Sequence, residues 1–289
     1  MKKGAASLSG GQLGVFKSRG ESVLKVGIAG YGAIGKVIGE ALDRGIKDLE
    51  FVGICVRDVE RGYTRMSSLR TPVPVLSSEK LAKISDVVVE CVPKEGFNSI
   101  AVPALKENKI LVTVSAAGII ANPETVNLAE AGNGRIILAT GALLGLDAVR
   151  AAAEGEIFEV VMITKKPPNA LIGAPYLKKN DISVEGLNEP KLVFSGSAAE
   201  GAEGFPANVN VAAALGLAGI GPDRTKLEIW ADPSLDRNTH SIRVTADSAS
   251  FEMSIENVQS EEKPGTGKIT ALSVIACLRG LVSSLKVGT

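Results

Sequence analysis

Histidine is almost absent from this chain: His240 is the only one in 289 residues. Cysteine is scarce too, with Cys55, Cys91 and Cys277 far apart, odd in number and set in apolar runs. No CxxC or Cys/His cluster is present, so the sequence offers no metal site of that kind. The thiols read as free, buried groups in a reducing compartment, which points to the cytoplasm. Net charge is missing as well, because 32 Lys and Arg balance 32 Asp and Glu. That balance argues against nucleic acid or an anionic membrane as the main partner. No apolar run approaches the length of a membrane span, since Gly and polar residues interrupt each one. Internal repeats and low-complexity linkers are also lacking.

What is present begins after residue 22. Residues 1–22 are basic, contain Ser and Gly, and have no acid before Glu21. They read as a disordered or leader extension; organellar import is the alternative to a cytoplasmic location. An apolar run from Val23 to Ala29 then enters Gly30-Tyr31-Gly32-Ala33-Ile34-Gly35. This is Gly-x-Gly-x-x-Gly between a strand and a helical pattern, the context that makes the motif a dinucleotide site. Gly30 permits the tight turn, Gly32 lets a pyrophosphate approach the backbone, and Gly35 lets helix and strand pack closely. Ala33 and Ile34 open the helix whose free N–H groups face the phosphates.

Strands and helices alternate from there to about residue 140, which predicts a Rossmann-type, doubly wound parallel sheet. The expected strands are 23–29, 49–56, 73–76, 86–92, 110–114 and 135–139. Helices are expected after Gly32, over 97–107 and over 123–131. The second strand ends Val56-Arg57-Asp58. A carboxylate at the key position would bind a ribose 2′-OH and favour NAD, whereas an arginine meets the 2′-phosphate of NADP. Val56 at that position favours NADP through Arg57, and Asp58 would favour NAD. The preference taken is NADP, with NAD tolerated. The loop after the strand 86–92 borders the cofactor, so Val92 and Pro93 are candidate contacts, with Lys94 beside them.

The pattern changes at residue 141. A helix over 147–153 is followed by longer strands at 157–165, 191–195, 226–231, 240–246 and 250–258. Several alternate apolar and polar residues, as Phe251, Met253 and Ile255 do. That is the mark of a half-covered mixed or antiparallel sheet, hence a second α+β domain over 141–267. An apolar helix is expected over 208–218. The last helix, over 268–285, is apolar enough for residues 268–289 to pack back on the first domain. His240 stands where a polar loop meets a strand, a place suited to a general acid or base. From the residues alone, an exposed strand-end histidine is an equal alternative.

The motifs Gly30-x-Gly32-x-x-Gly35, Gly141-Ala142-Leu143-Leu144-Gly145-Leu146-Asp147, Thr164-Lys165-Lys166-Pro167-Pro168, Phe205-Pro206-Ala207-Asn208-Val209-Asn210 and Arg237-Asn238-Thr239-His240 occur in this order. Together they resemble the L-aspartate dehydrogenase family, from Leu24 to the C-terminus. The resemblance implies that His240 is the active-site histidine and that Ala142 and Asn210 contact the nicotinamide cofactor. It also implies a homodimer, for which the second domain's open sheet offers an interface. Lys165 and Lys166 end a strand, and one of them can pair with a substrate carboxylate. Lys166 is the candidate taken, with Arg237 and Asn238 beside His240. The expected activity is NAD(P)-dependent oxidation of L-aspartate to iminosuccinate, then oxaloacetate and ammonia, with a role in NAD biosynthesis. The alternatives are a related reductase acting on homoserine, dihydrodipicolinate or a sugar, and a dinucleotide sensor without catalysis.

Overall fold

The computed structural model describes residues 23–205, 209–262 and 266–288. The leader at residues 1–22 and the expected helix start at Asn208 lie outside them. The chain runs β1 (Leu24–Ala29), α1 (Ala33–Asp43), β2 (Leu49–Cys55), α2 (Val59–Arg65), α3 (Ser78–Ile84), β3 (Val87–Glu90) and α4 (Phe97–Lys106). It continues through β4 (Ile110–Thr113), α5 (Ala116–Ala121), α6 (Glu124–Ala131) and β5 (Arg135–Leu138). The second half holds α7 (Leu146–Ala152), β6 (Ile157–Lys166), α8 (Pro175–Lys179), β7 (Lys191–Ser197), α9 (Ala198–Gly204) and α10 (Val209–Ala218). It ends with β8 (Lys226–Ala231), β9 (Thr239–Ala246), β10 (Ser250–Glu256) and α11 (Lys268–Val282).

The first sheet has the order β2-β1-β3-β4-β5, with every pair parallel. Its strands are apolar because both faces are covered. On one face, α1 and α11 bury Ile38, Ala271, Val274 and Leu278 against Val26, Ile28 and Val112. On the other, α3 and α4 bury Leu81, Phe97, Ile100 and Leu105 against Val88 and Leu111. Strand order reverses between β1 and β3, so a crevice opens beyond their carboxyl ends, where such folds bind ligands.

The strand expected over 73–76 is reduced to one parallel bridge, Val75 with Ile54 on the outer edge of β2. Pro72 and Pro74 each remove a backbone donor, which limits the pairing. The last helix stops at Val282 rather than at Leu285, because Ser283 turns extended and Leu285 stands in solvent. Several short helices had no counterpart in the periodicity. Side-chain caps start three of them: Asp58 for α2, Ser77 for α3, and a Ser197–Glu200 capping box for α9.

The second sheet has the order β10-β9-β6-β8-β7. It is mixed: β6 and β8 run parallel, and the other neighbours run antiparallel. One face packs on α7, α9 and α10 through Val160, Met162, Leu227, Ile242 and Val244. The helix α10 also packs on α5 of the first half. Among the described residues, no helix is long and apolar enough to cross a membrane.

Candidate active site

The two halves enclose a cavity of about 1210 Å³. Its first wall is the glycine turn: Gly30, Gly32, Ala33 and Ile34 all line it. Gly30 has a φ of +88°, and a Cβ there would sit 2.5 Å from the Cys91 carbonyl oxygen. A Cβ on Gly35 would collide with the Gly30 carbonyl, so Gly35 packs beneath the turn and does not line the cavity. A Cβ on Gly32 would meet nothing within 4 Å, which leaves its face open to the cavity. No side chain caps α1, and its first turn holds no acid. Its N-terminal N–H groups are therefore available to a pyrophosphate, and the cradle fits a dinucleotide.

Arg57 lines the cavity beside the end of β2, and Val92 and Pro93 line it after β3. The Asp58 carboxylate accepts from the Arg61 N–H at 3.0 Å, so it is engaged as the cap of α2. Arg61 stands four residues beyond Arg57 and also lines the cavity, a second cation that motif reading missed. Arg65 donates to the Tyr31 carbonyl at 2.6 Å and pairs with Glu262, tying α2 to the glycine turn.

Glu90, at the end of β3, is fully buried. It accepts from the Val92 N–H at 2.8 Å and from the Ser115 hydroxyl at 3.2 Å. The Thr113 hydroxyl donates to its other oxygen. Burial pushes this carboxyl above the usual range, and the hydrogen bonds oppose that shift. Glu90 thus fixes the loop that carries Val92 and Pro93 to the start of α5. Glu90→Ala should strand these donors and lower stability by about 3 kcal/mol, read by urea unfolding.

The opposite wall comes from the end of the second sheet. Thr164 on β6 pairs with His240 on β9, and Lys166 lies two residues further along β6. Period-two alternation puts Thr164, Lys166, Asn238 and His240 on one face. All but Thr164 line the cavity, and Lys166, Asn238 and His240 are only 5%, 6% and 5% exposed. The Thr164 hydroxyl lies 3.1 Å from His240 Nδ1. Burial, together with the nearby charge of Lys166, lowers the His240 pKa to about 3. Burial alone lowers Lys166 to about 8. Lys165, one residue earlier, is exposed on the other face. Arg237 is half-buried, pairs with the exposed Asp236 at 2.9 Å and does not line the cavity.

Ala142 and Asn210 line the cavity at the domain junction. Asn210 is the second residue of α10, and its Oδ1 accepts from the Ala117 N–H at 3.1 Å. It therefore joins the domains, and its Nδ2 is the atom left to face a ligand. Asn257 lines the cavity too and was missed from sequence.

A parallel dinucleotide sheet facing a second domain, with a buried histidine and lysine across one cleft, defines a two-domain nicotinamide-dependent dehydrogenase. Residues 30–139 match the family described as "Homoserine dehydrogenase, NAD binding domain", and residues 147–281 match "Aspartate dehydrogenase, C-terminal". The chain is 51% identical to an L-aspartate dehydrogenase of Bradyrhizobium diazoefficiens, across 93% of this chain and 95% of that one. It is 46% identical to L-aspartate dehydrogenase 3 of Bordetella bronchiseptica, across 92% and 98%. Among solved structures, aspartate dehydrogenase from Thermotoga maritima superposes with a TM-score of 0.71 at 25% identity, covering 92% of this chain and 99% of that one. The chain belongs to the L-aspartate dehydrogenase family.

Proposed function

We propose that the chain oxidises L-aspartate to iminosuccinate using NAD(P), with NADP preferred. The observation that carries this is the placement of His240 and Lys166 on one sheet face, across the cavity from an uncapped glycine turn. Gly30, Gly32, Ala33 and Ile34 would hold the pyrophosphate, with Val92, Pro93, Ala142 and Asn210 along the nicotinamide half. When bound, the cofactor supplies the acceptor for the hydride that leaves the substrate Cα. Lys166 pairs with a substrate carboxylate, and Asn238 supports the same end. With its proton on Nδ1, the His240 ring donates to Thr164 and leaves Nε2 as the base. Nε2 takes a proton from the substrate ammonium, so the nitrogen lone pair can form the C=N bond as the hydride departs. Water adding to that bond then releases ammonia and leaves oxaloacetate. Imine released before hydrolysis would serve NAD biosynthesis. Reduced cofactor formed one for one with the sum of iminosuccinate and ammonia from aspartate tests the reaction; reduced cofactor with neither product would refute it.

NADP preference rests on Arg57 just past β2 and Arg61 on α2, with Asp58 between them engaged as the cap of α2. Arg57→Ala should weaken NADPH about tenfold or more and NADH little, as loss of a charge-assisted phosphate contact implies. Fluorescence titration reads this, and equal losses would remove Arg57 from the 2′-phosphate. The uncovered face of the second sheet, with Leu192 in the open beside Trp230, supports a homodimer through that sheet, which light scattering tests. The free thiols Cys55, Cys91 and Cys277 fit a cytoplasmic setting.

A further inference from the structure

Asn257 lies just past β10, and its N–H donates to the Asn238 carbonyl at 2.9 Å. This carries the β9–β10 register one pair beyond Thr239 and Glu256. Alternation therefore puts the Asn257 side chain on the face that holds His240 and Asn238. Asn257 is only 4% exposed and lines the cavity. Its Nδ2 donates to the Ala142 carbonyl at 3.1 Å. A carbonyl can only accept, so this bond fixes which way round the amide lies. Oδ1 is then turned away from Ala142, and it is buried without a hydrogen-bond partner. Gly267 keeps the space beside it, since a Cβ there would come within 2.8 Å of Oδ1. The Asn238 Oδ1 is buried and unpartnered as well. Buried acceptors are normally satisfied, so two bare ones in the same cleft point to a donor that arrives with a ligand.

We propose that Asn257 is a ligand-binding residue whose Oδ1 accepts an N–H from a bound reactant, while its Nδ2 anchors the Ala142 carbonyl. Two N–H sources fit this chemistry: the carboxamide of the nicotinamide and the amine of the substrate. The second source rests on the aspartate reading, and the first needs only the dinucleotide cavity. The donor-less counterparts separate them. Succinate keeps both carboxylates of aspartate without the amine, and the 3-acetylpyridine analogue of the cofactor lacks the carboxamide N–H.

Asn257→Ala is titrated with NADPH and the reduced acetylpyridine analogue in the absence of substrate. The aspartate KM and the succinate inhibition constant are then measured beside wild type. A loss of about tenfold is expected for the reactant that carries the N–H, with less than a twofold change for its donor-less counterpart. Gly267→Ala, which crowds Oδ1 but keeps Asn257 and its bond to Ala142, should reproduce that selectivity. Selective loss on either pair supports the proposal and names the source. Equal losses within both pairs, or no loss in either variant, overturn it. Wild type that fails to turn over aspartate would refute the aspartate reading and leave the cofactor titration to decide Asn257.

Discussion

His240→Ala should lower turnover about 10²–10⁴-fold, the range for a lost general base, while NADPH binding stays within about twofold. The ring is buried and held by Thr164, and it is the sole histidine in the chain, so no other imidazole can substitute. Its pKa of about 3 keeps it neutral across the working range but makes it a weak base before substrate arrives. The physical cause supplies the remedy. Part of the depression comes from the charge of Lys166, and a bound dicarboxylate offsets that charge. The substrate therefore relieves the Lys166 share of the depression at the group that must deprotonate it, while burial, the larger cause, persists. Steady-state rates and a fluorescence titration of NADPH check both halves. Turnover near that of wild type would remove His240 from the chemistry.

Lys166→Met should weaken dicarboxylate binding by about 10²-fold, as expected for loss of a desolvated charge partner. Succinate is the suitable probe, because it carries no amine that titrates. The pH dependence follows from the same residue. Lys166 is cationic below about 8 and neutral above it. Succinate inhibition of the wild type should therefore weaken as pH rises through about 8, and it should be flat there in Lys166→Met. Inhibition that strengthens with pH, or a variant that keeps the wild-type slope, would place the carboxylate elsewhere.

The cradle was legible in the sequence because its physics is local. Gly30, Gly32 and Gly35 each answer a constraint set within a few residues of themselves. The paired strand-end lysines were only half legible. Periodicity says that Lys165 and Lys166 face opposite ways, but not which face the helices cover. Arg237 looked like a substrate cation because it stands near His240 in the chain, yet it pairs with its neighbour Asp236 in solvent. Glu90 was hidden for a different reason. Its partners Thr113 and Ser115 lie on and just past the next strand, and only the sheet order brings them to it. Asn257 was hidden by distance along the chain, because its bond to the Ala142 carbonyl spans 115 residues. The helices α2, α3 and α9 escaped because so short a stretch shows no period, although their caps Asp58, Ser77 and Ser197 were written in the sequence.

The most direct test of the central claim is the initial rate of NADP and NAD reduction with L-aspartate, set beside homoserine and a sugar. The account predicts rapid reduction with L-aspartate alone, faster with NADP than with NAD. Reduction driven equally by homoserine or a sugar, or none with L-aspartate and either cofactor, would contradict it.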